Sequence, residues 1–222
     1  MVDGGGGMSR KAVRTRGRPR KGSELEADNL LDAALDAFAE HGFEKANLRS
    51  IAAAAKVDVA LISYHYGSKL ELWKAVIESF SGEAMALLAS VRSDGAEVSS
   101  RERLELTIEQ LINVGQRKPQ FARFVINEVA GIDQSERFEF FHNALTKPLR
   151  ETLVPLIAAV NRSGNSRKVD PNLRFFAALG AMSMSMANRQ FIARFAPVAK
   201  DDKQFRKELI AVISAVMCPE NA

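Results

Sequence analysis

Cysteine is nearly missing from this chain: Cys218 stands alone among 222 residues, so no internal disulfide can form, and a reducing compartment suits it. Histidine is almost as scarce. His41, His65 and His142 share no metal-ligand spacing, so no metal site is expected. No apolar run approaches the length of a membrane span, and no apolar core follows the basic residues near the N-terminus, which excludes a secretory signal. Also absent are a GxSxG, an HExxH and a phosphate-binding glycine loop, so nothing marks a catalytic residue or a cofactor site. These absences fit a non-enzymatic, soluble, cytoplasmic protein with no membrane partner. What remains, 46% hydrophobic and 26% charged residues, is an ordinary globular balance for one large or two small domains.

The charge is unevenly placed. Residues 1–22 hold seven basic side chains against Asp3, whereas the whole chain is only +4, which leaves the other 200 residues slightly acidic. Four consecutive glycines precede this run, and Gly17 and Pro19 within Arg16-Gly17-Arg18-Pro19-Arg20-Lys21 forbid a regular helix. An extended, disordered cationic arm over residues 1–22 is therefore expected. Arg16, Arg18, Arg20 and Lys21 are suited to the concentrated negative potential of a narrow DNA minor groove.

Beyond the arm the chain reads as helix after helix. Ser23 is a candidate N-cap for a helix to His41, with Leu30, Leu31, Ala34, Leu35 and Phe38 inward and Gly42 as the stop. Two short helices follow, Leu48–Ala55 behind Asn47 and a second that starts at Val59 behind Asp58, within a stretch that runs to Lys69, too short to stand without a third. This is the pattern of a helix-turn-helix, whose second helix enters the DNA major groove. Ser68-Lys69-Leu70-Glu71 is a capping box opening a long connector helix to about Val91. Further helices are expected at Arg101–Arg117, Gln120–Ala130, Ser135 to about Arg162 with kinks at Pro148 or Pro155, Pro171 to about Phe195, and Asp202–Met217. The fold class is all-α.

The chain resembles the tetracycline-repressor (TetR) family of transcription regulators. The resemblance rests on Ala37-Phe38-Ala39-Glu40-His41-Gly42-Phe43, Ile51-Ala52, Ala55-Lys56-Val57, Tyr64-His65-Tyr66-Gly67-Ser68-Lys69 and Leu72. It implies about nine helices, with a helix-turn-helix DNA-binding domain at 23–67 and a helical effector-binding and dimerisation domain at 68–222. It also implies a homodimer joined through the last two helices, a palindromic double-stranded DNA operator, and a cavity among the fourth to seventh helices. Carried over by position, the DNA contacts fall on Arg49, Leu61, Ser63, Tyr64, His65 and Lys69. Lys56 stands where the family usually has glycine, which implies a left-handed residue at a cost of about 1 kcal/mol.

Phenylalanine outnumbers the other aromatics, 13 against two tyrosines and one tryptophan, and gathers around residues 121–141. Phe121, Phe124, Phe138 and Phe141 can line a pocket for an apolar or aromatic small-molecule effector, or can simply form a helical core. Asn127, Glu128, His142 and Asn143 are polar residues nearby that could orient a ligand. Met182, Met184 and Met186, among small residues, suggest close helix packing at the dimer interface. Two other classes share parts of this pattern. An all-α lipid-binding or hydrolytic protein leaves the basic arm before a hairpin unexplained, and a nonspecific architectural DNA binder has no need of the large C-terminal region.

Overall fold

The computed structural model describes residues 21–93, 98–131, 136–163 and 169–219, and every regular element among them is helical. Helix α1, Lys21–Lys45, starts two residues before the expected cap and is broken at Gly42, whose φ of 72° and ψ of 168° lie in a region open essentially to glycine alone. The break is therefore an extended kink and not the left-handed cap that was expected. It swings Phe43 back so that its ring stacks on Phe38 at 6.0 Å. Leu30, Ala34, Leu35, Phe38 and Ala39 are buried along one face.

Helix α2, Leu48–Ala55, is capped by Asn47, whose Oδ1 accepts the Arg49 N–H at 2.8 Å. It buries Ile51 and Ala52 and ends at Lys56, which does adopt the left-handed conformation, φ 58° and ψ 38°. Helix α3, Val59–Tyr66, is capped in the same way by Asp58, which accepts the Ala60 N–H at 2.7 Å, and it anchors itself through fully buried Ile62. Helix α4, Lys69–Ser93, follows the expected box, with the Ser68 hydroxyl accepting the Glu71 N–H at 3.1 Å. It buries Leu72, Trp73, Val76 and Ile77 against α1, then Ala84 and Leu88 against α5, Ser100–Arg117. One continuous apolar cluster thus runs from Leu30 to Cys218.

Helix α6, Gln120–Ala130, packs on α1 on one side and on α9 on the other. Helix α7, Glu136–Phe141, passes through one π-helical turn, His142–Thr146, into α8, Lys147–Ser163. Pro148 accounts for this turn: it has no N–H for the Ala144 carbonyl, and the buried Ser81 hydroxyl of α4 donates to that oxygen instead. Pro155 sits inside α8 on its exposed side.

Helix α9, Pro171–Ala187, starts on Asp170, which accepts the N–H groups of Asn172 at 2.9 Å and Leu173 at 3.0 Å; those contacts hold the exposed carboxyl below its ordinary range. It does not continue to Phe195 as the periodicity suggested. Asn188 stops it, donating through Nδ2 to the Met184 carbonyl at 3.1 Å, and a short helix α10, Arg189–Ile192, and a 3-10 turn, Pro197–Lys200, follow. The stop lets Arg189 donate to the Ala199 carbonyl at 2.7 Å and lie over the Phe205 ring. Helix α11, Asp202–Met217, closes the fold, and its C-terminal carbonyls are taken by Arg174 from Val216 at 3.0 Å and by Arg101 from Cys218 at 3.1 Å. No described helix is long and apolar enough to cross a membrane.

Candidate functional site

Helix α3 has two contrasting faces. Ile62 is fully buried and Leu61 and Tyr66 are half-buried, while Ser63, Tyr64 and His65 project outward, Tyr64 with 83% of its surface exposed. A tyrosine that exposed gains nothing from the fold, and its ring lies edge-on to the His65 ring at 5.1 Å. Burial, with Asp28 nearby, pushes the Tyr66 phenol above its ordinary range, as suits a side chain held against the core. Arg49 is exposed at the start of α2, where a cation can meet a phosphate. The caps at Asn47 and Asp58 fix both short helices, so these four exposed side chains stand on one rigid hairpin. Arg16, Arg18 and Arg20 lie outside the described residues, as does the side chain of Lys21.

Lys69 is placed differently from a free phosphate contact. Its ammonium donates to the carbonyls of Phe43 at 2.8 Å, Glu44 at 3.1 Å and Ala46 at 3.2 Å, and lies 4.6 Å from the Phe43 ring centre. All three of its N–H groups are thereby engaged, and Lys69 ties α4 to the end of α1.

A second feature is an apolar cavity of about 500 Å³ enclosed by α4 to α9. Phe121, Glu128, Phe138, Phe141 and His142 line it. Phe124 and Asn127 do not. Phe124 is turned to the other side of α6, fully buried with its ring 6.1 Å from that of Trp73, and Asn127 donates to the Ala39 carbonyl of α1 at 2.9 Å. Asn143 is exposed and donates back to Glu139. Met182 and Met186 line the cavity, while Met184 sits exposed at its rim. Thr146 and Ser183 line it too, and sequence reading missed both because nothing local marks a hydroxyl that faces a void.

Between the hairpin and the cavity lies a connected set of side chains. Glu128, on the cavity wall, accepts the Trp73 indole N–H at 3.2 Å and pairs with Arg137 at 3.6 Å. Arg137 also pairs with Glu44 at 3.0 Å and places its guanidinium 4.3 Å from the Phe43 ring centre. Phe43 and Glu44 belong to the turn beyond the α1 break, so one arginine touches both the cavity wall and the base of the hairpin. Lys118 pairs with Asp32 of α1 at 2.8 Å and strengthens the same joint. No group of acidic, histidine or cysteine side chains among the described residues could hold a metal ion.

Comparison with known proteins agrees with this layout. Residues 30–76 match the model of the bacterial regulatory proteins, tetR family. Over 195 residues the chain is 30% identical to the HTH-type transcriptional regulator RutR of Escherichia coli, covering 86% of this chain and 84% of that one. A TetR-like transcriptional regulator from a Rhodococcus species superposes with a TM-score of 0.63 at 20% identity, over 90% of this chain and 96% of that one. The transcriptional regulator FadR of Bacillus subtilis, solved in complex with stearoyl-CoA, superposes with a TM-score of 0.63 at 14% identity, over 86% of this chain and 98% of that one. These two structural likenesses are likenesses of fold.

Proposed function

Since the chain belongs to the tetR family of bacterial regulatory proteins and is a DNA-binding transcriptional regulator, we propose that it acts as a ligand-responsive repressor. In this reading residues 23–67 form the DNA-binding domain, residues 68–222 the effector and dimerisation domain, and residues 1–22 a basic arm that adds phosphate and minor-groove contacts. The observation that carries it is the division of α3 into a buried anchor, Ile62, and an outward face of Ser63, Tyr64 and His65. On that face Tyr64 and His65 offer hydrogen bonds and flat apolar surface to base edges, Leu61 offers contact to a thymine methyl, and Arg49 neutralises a phosphate. Lys69 acts as a positioning residue that holds α4 on α1.

A second copy supplies the other half-site. Leu173, Phe176 and Met184 are exposed at helical spacing on α9, and Val212 is exposed on α11, which packs beside it. An apolar stripe across two neighbouring helices needs a cover, and a two-fold partner provides one. Two recognition helices then reach half-sites roughly 34–36 Å apart.

Regulation follows from α6. Its cavity face carries Phe121, Val125 and Glu128, and its other face carries Phe124 and Asn127 against Trp73 and α1. An effector in the cavity that prefers one setting of α6 shifts the hairpins through Asn127, Arg137 and Trp73, and a coupling of about 1–3 kcal/mol suffices. Sequencing the genomic fragments retained by the purified protein, with sedimentation of the complex, tests the reading. Enrichment of palindromes bound by one or two dimers supports it, and indiscriminate retention of fragments contradicts it.

A further inference from the structure

The cavity carries information about its ligand beyond its apolar lining. Thr146 and Ser183 are among the most buried polar residues of those described, with 9% and 6% of their surface exposed, and both line the cavity. Other threonine hydroxyls in this fold turn back onto their own helix: Thr107 donates to the Arg103 carbonyl at 2.7 Å and Thr152 to the Pro148 carbonyl at 3.0 Å. Neither Thr146 nor Ser183 makes such a bond among the described residues. Neither hydroxyl is among the fully enclosed unpartnered atoms of the described residues, so each opens onto the cavity space, and a pair of hydroxyls unspent on the fold and facing one void points to an acceptor or donor supplied from outside. The π-helical turn His142–Thr146 bears on this placement, since it shifts the register at which Thr146 meets the cavity.

Charge narrows the class. The lining holds no lysine or arginine, its one imidazole, His142, is stacked on the Phe138 ring at 6.2 Å, and its one carboxylate, Glu128, already has the Trp73 indole and Arg137 as partners. A carboxylate or phosphate buried here would lack a lysine or arginine counter-charge, which is expensive in an apolar enclosure. We infer that the cavity takes a neutral, predominantly apolar molecule with a hydrogen-bonding oxygen received by Thr146 and Ser183, and discriminates against the carboxylate of the same carbon skeleton. This rests on reading the cavity as the effector site.

The test uses the full chain and two probes, 1-decanol and decanoate, each titrated calorimetrically and by Trp73 fluorescence, since Trp73 bonds directly to the cavity-lining Glu128. Wild type is expected to bind 1-decanol at least about tenfold more tightly than decanoate. The double variant Thr146→Val with Ser183→Ala, which keeps the shape, is expected to lose about five- to tenfold in affinity for the alcohol. The same variant is expected to unfold at the same or a higher denaturant concentration, because neither hydroxyl it removes bonds to the fold among the described residues. Decanoate binding as tightly as the alcohol, unchanged alcohol affinity in the double variant, a destabilised double variant, or no binding of either probe would each overturn the inference. Operator binding by the same preparation separates the two readings: operator binding without alcohol binding sinks the ligand class and leaves the regulator standing, whereas loss of operator binding in untreated wild type sinks the regulator itself.

Discussion

Lys56 holds the turn of the DNA-facing hairpin in a left-handed conformation, the one non-glycine residue with positive φ among those described. Its Cβ crowds the backbone there, so Lys56→Gly is expected to raise stability by about 1 kcal/mol, read as a higher urea midpoint. The same substitution removes a cation beside the hairpin, so stability and DNA affinity need not move together. Cys218 presents the opposite situation, a side chain whose chemistry the fold suppresses. Burial pushes its thiol up to about 11, so near pH 8 the thiolate fraction falls roughly a hundredfold below that of an ordinary thiol. Iodoacetamide is expected to leave the native protein unlabelled and to label the unfolded chain, as mass spectrometry would show; rapid labelling of the native protein would contradict this. The left-handed setting of Lys56 was legible through the resemblance, because the family usually has glycine at that position. The setting of Lys69 was not, because its three carbonyl acceptors come from a turn more than twenty residues earlier and exist only once Gly42 has kinked α1.

Among the elements, α6 is the one whose two faces differ most in task, and Arg137 at the start of α7 is its link to the hairpin. Arg137→Met keeps a long unbranched side chain at this position and removes the guanidinium over Phe43 together with the ion pairs to Glu44 and Glu128. The Glu128 side chain is only 7% exposed, so the loss is expected to destabilise by about 2–3 kcal/mol, somewhat below the range for a fully enclosed pair. Adding Glu128→Gln is expected to recover part of it, and simple additivity in the double-mutant cycle would show that the two side chains are not coupled. The ends of α6 were legible because Pro119 and Gly131 bracket it. The faces of α6 were not legible: Phe121 and Phe124 fall on one apolar stripe, and only the placement of Trp73 and α9 sends one to the cavity and the other to the hairpin joint. The early stop of α9 was hidden for a similar reason. Asn188 interrupts an apolar pattern that otherwise continues, and its value lies in bringing Arg189 to Ala199 and Phe205, a tertiary bargain with no local signature.

For the molecule as a whole, the exposed stripe on α9 and the mouth of the cavity overlap, since Phe176 and Met184 belong to both. A partner copy seated on the stripe would also cover the cavity rim, so dimerisation and effector binding are expected to be linked, each strengthening or weakening the other by the same factor. Leu173→Glu with Val212→Glu places charges in the stripe without touching the buried core. It is expected to shift sedimentation from dimer to monomer and to lower operator affinity at least about a hundredfold, because one recognition helix alone is left to bind. An unchanged dimer would move the interface elsewhere. The all-α class and the helix-turn-helix were readable along the chain because capping and periodicity are local, whereas the cavity is a property of six helices meeting, which the residues themselves hint at only by a surplus of phenylalanine. The account stands most directly on α3 as the reading helix. Fluorescence anisotropy of wild type and Tyr64→Ala, each on the selected palindrome and on a scrambled duplex across a salt series, tests it. The prediction is a loss of about 1–3 kcal/mol on the palindrome, little change on the scrambled duplex and an unaltered salt slope, since Tyr64 carries no charge. Equal binding of both proteins to the palindrome would contradict the assignment of α3.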